Sequence, residues 1–230
     1  MRLHREPASK DPHALFEEAL ALERQGAFRE AFQLFRQCAR GFGLDRGDVY
    51  FHLGWCLEQD AQPDWVAARK YYHRAAALST SPVVRMNARF RAGWLFMQQR
   101  AHRSALLEFE KAVEEGEKAG KQTHRLYGEA CYWYALMLEA GQRYLDALAW
   151  YAQVADGFPL LAPECRYRQI RCQIQVGDFA GALQTCRRFQ QSAPAGFSPQ
   201  RLAELKRLVQ EEQKWLEACL QDSFLRDELS

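Results

Sequence analysis

The chain has 230 residues, 48% of them hydrophobic and 26% charged, with a formal net charge of +2. That composition excludes a disordered chain, and so small a net charge argues against non-specific binding of nucleic acid or other polyanions. Glycine and proline are sparse, at 14 and 8, while good helix formers such as Ala, Leu, Arg, Glu and Gln abound.

Residues 1–11 are polar and lack the apolar run of a secretory leader, so none is expected. From residue 12 onward, amphipathic segments follow one another. Five of them are alike: GAFREAFQLF (Gly26–Phe35), DWVAARKYY (Asp64–Tyr72), AHRSALLEF (Ala101–Phe109), RYLDALAWY (Arg143–Tyr151) and GDFAGALQTC (Gly177–Cys186). Each carries an alanine followed four residues later by an aromatic, or by Cys186 in the last. The alanines Ala31, Ala68, Ala105, Ala147 and Ala182 are spaced by 37, 37, 42 and 35 residues. Pro159 and Pro194 lie beyond the last two, where they end helices.

Upstream of the first four alanines lies a second amphipathic segment with a small residue in its middle: Ala19, Gly54, Gly93 and Ala135. A mid-helix glycine costs roughly 1 kcal/mol relative to alanine. Two glycines in register therefore predict that two helices cross closely there. Gly54 leads Ala68 by 14 residues and Gly93 leads Ala105 by 12, so the second repeat carries about two extra residues, around AQPD. The longest interval, across Glu114–His124, predicts an extended helix end or an ordered loop.

This helix–turn–helix unit resembles the tetratricopeptide repeat. Tyr50, Leu53, Gly54, Leu57, Ala68 and Tyr72 match its pattern well, and Ala92, Gly93, Phe96, Ala105 and Phe109 match it in part. The first, fourth and fifth copies depart from it in their first helix. The resemblance runs from Pro12 to Pro194. It implies an all-α, right-handed α-solenoid with five repeats over residues 12–197. The spacings exceed the family's period of about 34, which implies longer turns or helices. After Pro199, Leu202, Leu205, Val209, Leu216 and Cys219 form one apolar stripe. Residues 198–230 are therefore expected to form a capping helix and tail that cover the last repeat. A dimerisation or partner helix is the alternative.

In this family the first helix of each repeat lines a concave groove. In register, those helices carry Phe16, Phe51, Phe90, Tyr132 and Tyr167, and one turn later Leu20, Trp55, Trp94, Leu136 and Arg171. Residues four apart share a helix face. Tryptophan is rarely fully buried and is favoured at binding hot spots. The groove is therefore expected to present Phe51, Trp55, Phe90, Arg91, Trp94, Tyr132, Trp133, Tyr167, Arg168 and Arg171. The alternative for the rings is packing against neighbouring helices. Arg168 and Arg171, three apart, can hold a partner's carboxylate or form part of a solvated face. Co-chaperones of the family clamp a chaperone's C-terminal carboxylate with Lys and Asn on these faces. No such clamp is recognisable around Phe51/Trp55 and Phe90/Trp94, which favours apolar side chains instead.

The expected function is a non-enzymatic interaction module or adaptor, binding a peptide segment or partner subunit with apolar, aromatic and acidic residues and needing no cofactor. A self-assembling scaffold subunit is the second reading. A helical-repeat RNA reader fits less well, because base reading needs polar side chains at a fixed place in each repeat. Seven cysteines within helical patterns suit reduced thiols in a cytoplasm. No run of about 18 apolar residues predicts a membrane span. RDEL in the final RDELS resembles a retention signal, but Ser230 follows it and no secretory leader is expected, so that reading is set aside.

One stretch suggests chemistry. His52, Cys56 and Asp60 stand at steps of four, like a base, a nucleophile and an orienting acid. Cys56, however, falls late in its helix, where the dipole opposes a thiolate, and no oxyanion hole accompanies it. With no CxxC or HExxH, a metal site is not expected either.

Overall fold

The computed structural model describes residues 11–40, 46–120, 124–190 and 196–227, with side chains to residue 221. Among them there are eleven helices and no strand. They are α1 (Pro12–Arg24), α2 (Phe28–Cys38), α3 (Arg46–Gln59), α4 (Trp65–Leu78), α5 (Pro82–Gln98), α6 (His102–Lys118), α7 (Arg125–Ala140), α8 (Tyr144–Gly157), α9 (Ala162–Gln175), α10 (Phe179–Gln190) and α11 (Pro199–Asp227). None of the described helices is long and apolar enough to cross a membrane. The chain divides into two compact units, residues 1–121 with α1–α6 and residues 122–230 with α7–α11. In each, consecutive helices pack in pairs.

Local chemistry marks the pair boundaries. Asp11 caps α1 by accepting from the His13 amide, with Pro12 at the first turn, and Ser81 caps α5 before Pro82. Within a pair, four turns follow one plan. Gly26, Arg100, Gln142 and Gly177 adopt positive φ. The next amide then returns to the carbonyl five residues back: Ala27 to Leu22, Ala101 to Phe96, Arg143 to Leu138 and Asp178 to Gln173, each at 2.9 Å. The second pair differs as its sequence spacing predicts. There the Asp64 amide reaches the Leu57 carbonyl at 3.1 Å, seven residues back. The two added residues replace the left-handed turn, and the Asp64 carboxylate caps α4 through the Ala67 amide at 2.9 Å.

The repeated alanines sit where the two helices of a pair meet. Ala31, Ala68, Ala105, Ala147 and Ala182 are all 0% exposed, as are Phe35, Tyr72, Phe109, Tyr151 and Cys186 one turn on. A Cβ added to Gly54 would stand 2.9 Å from the Tyr72 ring, and one added to Gly93 would stand 3.0 Å from Phe109. The expected close crossing is therefore present in both pairs. On α11, Leu205, Val209 and Leu216 are buried against Ile170, Ala182, Cys186 and Phe189, while Leu202 is only partly covered and Cys219 is half-buried. Of the long interval, α6 continues to Lys118, and residues 121–123 lie outside the described residues.

Ion pairs tie the helices of residues 1–121 further. Glu108, nearly buried, meets Arg89 at 3.0 Å and His73 at 3.4 Å. Arg85 meets Glu115 at 2.6 Å and also donates to the Ser79 and Thr80 carbonyls, fixing the α4–α5 connection. Burial pushes the Glu108 carboxyl up, but its hydrogen bond from Arg89 and the close cationic neighbours Arg89 and His73 outweigh it and hold the group below its ordinary 4.5. Glu115 is held down in the same way by Arg85 and Lys118. A carboxylate depressed on folding adds stability that is complete above its unfolded value and is lost as pH falls through the folded one. Glu108→Gln should therefore shrink the loss of urea stability between pH 7 and pH 3. An undiminished loss in the variant would show that Glu108 does not drive acid unfolding.

Candidate binding faces on the first helices

The first helices of the pairs, α1, α3, α5, α7 and α9, carry the aromatic register identified in the sequence. Each of the first four rings meets the ring of its own second helix. Centroid separations are 5.5 Å for Phe16 and Phe35, 5.5 Å for Phe51 and Tyr72, 5.8 Å for Phe90 and Phe109, and 6.1 Å for Tyr132 and Tyr151. Tyr167 packs partly buried beside the α9–α11 core. Phe90 is only 6% exposed, so it supports the face from beneath. Burial rather than display is the first task of these rings. One turn later, Trp55 and Trp94 are half-buried and Arg171 is exposed. Trp133, also half-buried, stands edge-on to Tyr132 at 5.6 Å.

A second register was not legible as a unit. A glutamate four residues after the small residue of one first helix meets a basic side chain two residues before the corresponding position of the next. Glu23 Oε2 lies 2.8 Å from His52 Nδ1. Glu58 accepts from Arg91 Nε at 3.1 Å and from its Nη2, and also from the Tyr72 hydroxyl at 2.7 Å. Glu139 accepts from Arg168 Nη1 at 3.2 Å and from the Tyr151 hydroxyl at 2.7 Å. Arg91 and Arg168, expected to face a partner, thus bond to glutamates of the preceding pair. Burial pulls Arg91 down to about 10, still charged at neutral pH. Its guanidinium also lies 4.8 Å from the Trp55 ring centroid, covering one face of the indole. The sequence signal was present in Glu23, Glu58 and Glu139 at a constant offset from Ala19, Gly54 and Ala135. Counted along the sequence from Gly93 and Ala135, the same two offsets hold Met97 and Trp133.

The stretch from His52 to Asp60 takes its place in these contacts. His52 binds Glu23 rather than Asp60, which instead accepts from Arg29 at 2.8 and 3.1 Å. Cys56 is buried, and burial together with the nearby Glu23 carboxylate pushes its thiol up to about 12. A thiol so placed is a poor nucleophile. Among the described residues, no group of three or more His, Cys, Asp or Glu is arranged to hold a metal ion.

At the end of residues 122–230, Arg171, Ile174 and Gln175 of α9 and Glu212 and Trp215 of α11 line a cleft of about 290 Å³. Trp215 was not singled out by sequence, because it lies off the apolar stripe of α11. A large ring outside a helix's buried stripe is the signal that could have found it.

No family model matches the chain, and no curated protein matches it. Solved structures do. YrrB, a TPR protein with an unusual peptide-binding site, superposes with a TM-score of 0.61 at 14% identity, over 78% of this chain and 85% of that one. MamA (residues 41 to the end) from Desulfovibrio magneticus RS-1 superposes at 0.59 with 16% identity, over 87% and 98%. A kinesin light chain from Podosopora anserina with nearly identical TPR-like repeats superposes at 0.55 with 15% identity, over 87% and 97%. At such identities the likeness is one of fold, and it agrees with the helix pairs, their small-residue crossings and their buried alanines: the chain has the tetratricopeptide-repeat fold.

Proposed function

We propose that the protein is a non-enzymatic interaction module of a cytoplasmic assembly, which binds a peptide segment or partner subunit on the faces of its first helices. Residues 12–197 are read as five repeats and residues 198–230 as their capping helix and tail. The observation that carries the reading is the tryptophan pair Trp55 and Trp94. Both occupy the same register position on successive first helices, both are half-buried, and neither belongs to the buried core. Large rings held in place but partly accessible are what hot spots use. Arg171 takes the same register position on α9 and is exposed. The seven free cysteines suit a reducing compartment. The fold neighbour YrrB is described as having a peptide-binding site, which agrees with this reading.

Trp94→Ala combined with Arg171→Glu should abolish recovery of the native partner from cell extract, while the far-UV circular dichroism stays helical. Unchanged recovery with intact helicity would overturn the assignment of these faces.

A further inference from the structure

The cleft between α9 and α11 has a chemistry of its own. Its α9 side carries the exposed guanidinium of Arg171, and its α11 side carries the half-buried Glu212. Arg91 and Arg168, on the same kind of helix face, are paired with Glu58 and Glu139. Arg171, among the described residues, forms no ion pair, although Glu212 lines the same cleft. The same cleft is lined by Ile174, partly buried, and Trp215, 46% exposed. The indole is set edge-on against Phe179, with centroids 5.7 Å apart and planes at 88°. One part of Trp215 is thereby fixed, and the rest faces the cleft. Arg201 ties α11 to α9 through Glu164 at 3.0 Å, so the two walls are joined independently of the cleft. A volume of about 290 Å³ suits one large side chain and its flanking backbone, and is too small for a helix.

We propose that this cleft recognises a peptide segment in which an acidic residue adjoins a large aliphatic or aromatic one. The apolar side chain enters between Ile174 and Trp215. The neighbouring carboxylate pairs with the Arg171 fork, a planar bidentate match. Gln175, exposed at the rim, is placed for the peptide backbone. Glu212 repels a second carboxylate on the α11 side and so sets the direction of the segment. The proposal rests on reading the chain as a peptide-binding module, and it assigns to one end of it a ligand chemistry.

The test uses the full chain labelled with ¹⁵N, with the Trp215 indole signal identified through Trp215→Phe. The probes are short Gly/Ser peptides containing Glu-Leu, Gln-Leu, Lys-Leu, Glu-Ser or Glu-Leu-Glu. Both ends are blocked, so no terminal carboxylate contributes. Glu-Leu should shift the Trp215 signal saturably. Gln-Leu, Lys-Leu and Glu-Ser should bind about tenfold or more weakly, the scale of one charge-assisted contact or one buried side chain. Arg171→Gln should remove the preference for Glu over Gln, and Glu212→Gln should improve Glu-Leu-Glu. Equal binding of Lys-Leu, a Glu preference that survives Arg171→Gln, or no saturable shift would each overturn the proposal. So would a shift that depends on protein concentration alone, since that assigns the cleft to a second copy of the chain. Peptides that move the Trp55 or Trp94 signals and leave Trp215 unmoved would sink the cleft and leave the broader reading standing. Loss of the broader reading is seen separately, in recovery of the native partner.

Discussion

Glu58→Ala is expected to destabilise residues 1–121 by about 3–5 kcal/mol, the loss seen when one member of a buried ion pair is removed. Its carboxylate is the shared acceptor for Arg91 and for the Tyr72 hydroxyl, and its side chain is only 6% exposed. Without it, a half-buried guanidinium and a buried phenol both lack their acceptor, and the stack of Arg91 on Trp55 loses its anchor. In sequence, the same offsets from Gly93 and Ala135 hold an apolar set, Met97, Phe109 and Trp133, in place of Glu58, Tyr72 and Arg91. The triple change Glu58→Met, Tyr72→Phe and Arg91→Trp should recover most of the loss, because an apolar set of similar volume carries no unpaired charge. Urea unfolding of the single, double and triple variants measures the coupling. A loss below about 1 kcal/mol for Glu58→Ala would place the pair among weak surface contacts.

Gly47→Ala should also destabilise the protein, by about 1–3 kcal/mol, against what helix propensity alone requires. Propensity favours alanine in a helix by up to about 1 kcal/mol. A Cβ on Gly47, however, would stand 2.1 Å from Ser79 Cβ, 2.4 Å from its Cα and 2.7 Å from its nitrogen. The obstruction includes backbone at the end of α4, so no rotamer change relieves it, and overpacking prevails. Gly157→Ala is the opposing case. Nothing lies within 4 Å of its added Cβ and its φ is not left-handed, so a gain of roughly 0.5–1 kcal/mol is expected. Thermal or urea unfolding of the two variants decides the matter by sign. A stabilised Gly47→Ala would mean that the α3–α4 approach is looser than the geometry states.

The repeats themselves were legible because every helix pair solves the same packing problem. Ala31, Ala68, Ala105, Ala147 and Ala182 recur since each lies where a second helix crosses a first, and all five are fully buried. The insertion in the second pair could be counted from Gly54 and Ala68, and it appears as a return hydrogen bond spanning seven residues instead of five. Cys38, Cys56 and Cys186 are buried and act there as small apolar side chains. The left-handed Arg100 and Gln142 were not legible, because neither residue type announces positive φ as Gly26 and Gly177 do.

The polar residues are a different case. Arg91 and Arg168 read in the sequence as groove residues, and nothing there ties them to Glu58 and Glu139, because a charged residue reads the same whether water, a partner or a neighbouring helix satisfies it. Their partners lie 33 and 29 residues away, on the next first helix. The choice depends on how closely that helix approaches, which periodicity does not encode. Trp215 and Arg171 are 44 residues apart in number and share a cleft only because α11 folds back on α9. The sequence by itself determined the helix pairs, their crossings and their buried alanines, since these follow from local periodicity and side-chain size. Tertiary structure alone decided which charges are internal ties and which guanidinium is left facing a cleft, since burial and pairing are properties of neighbours distant in the chain.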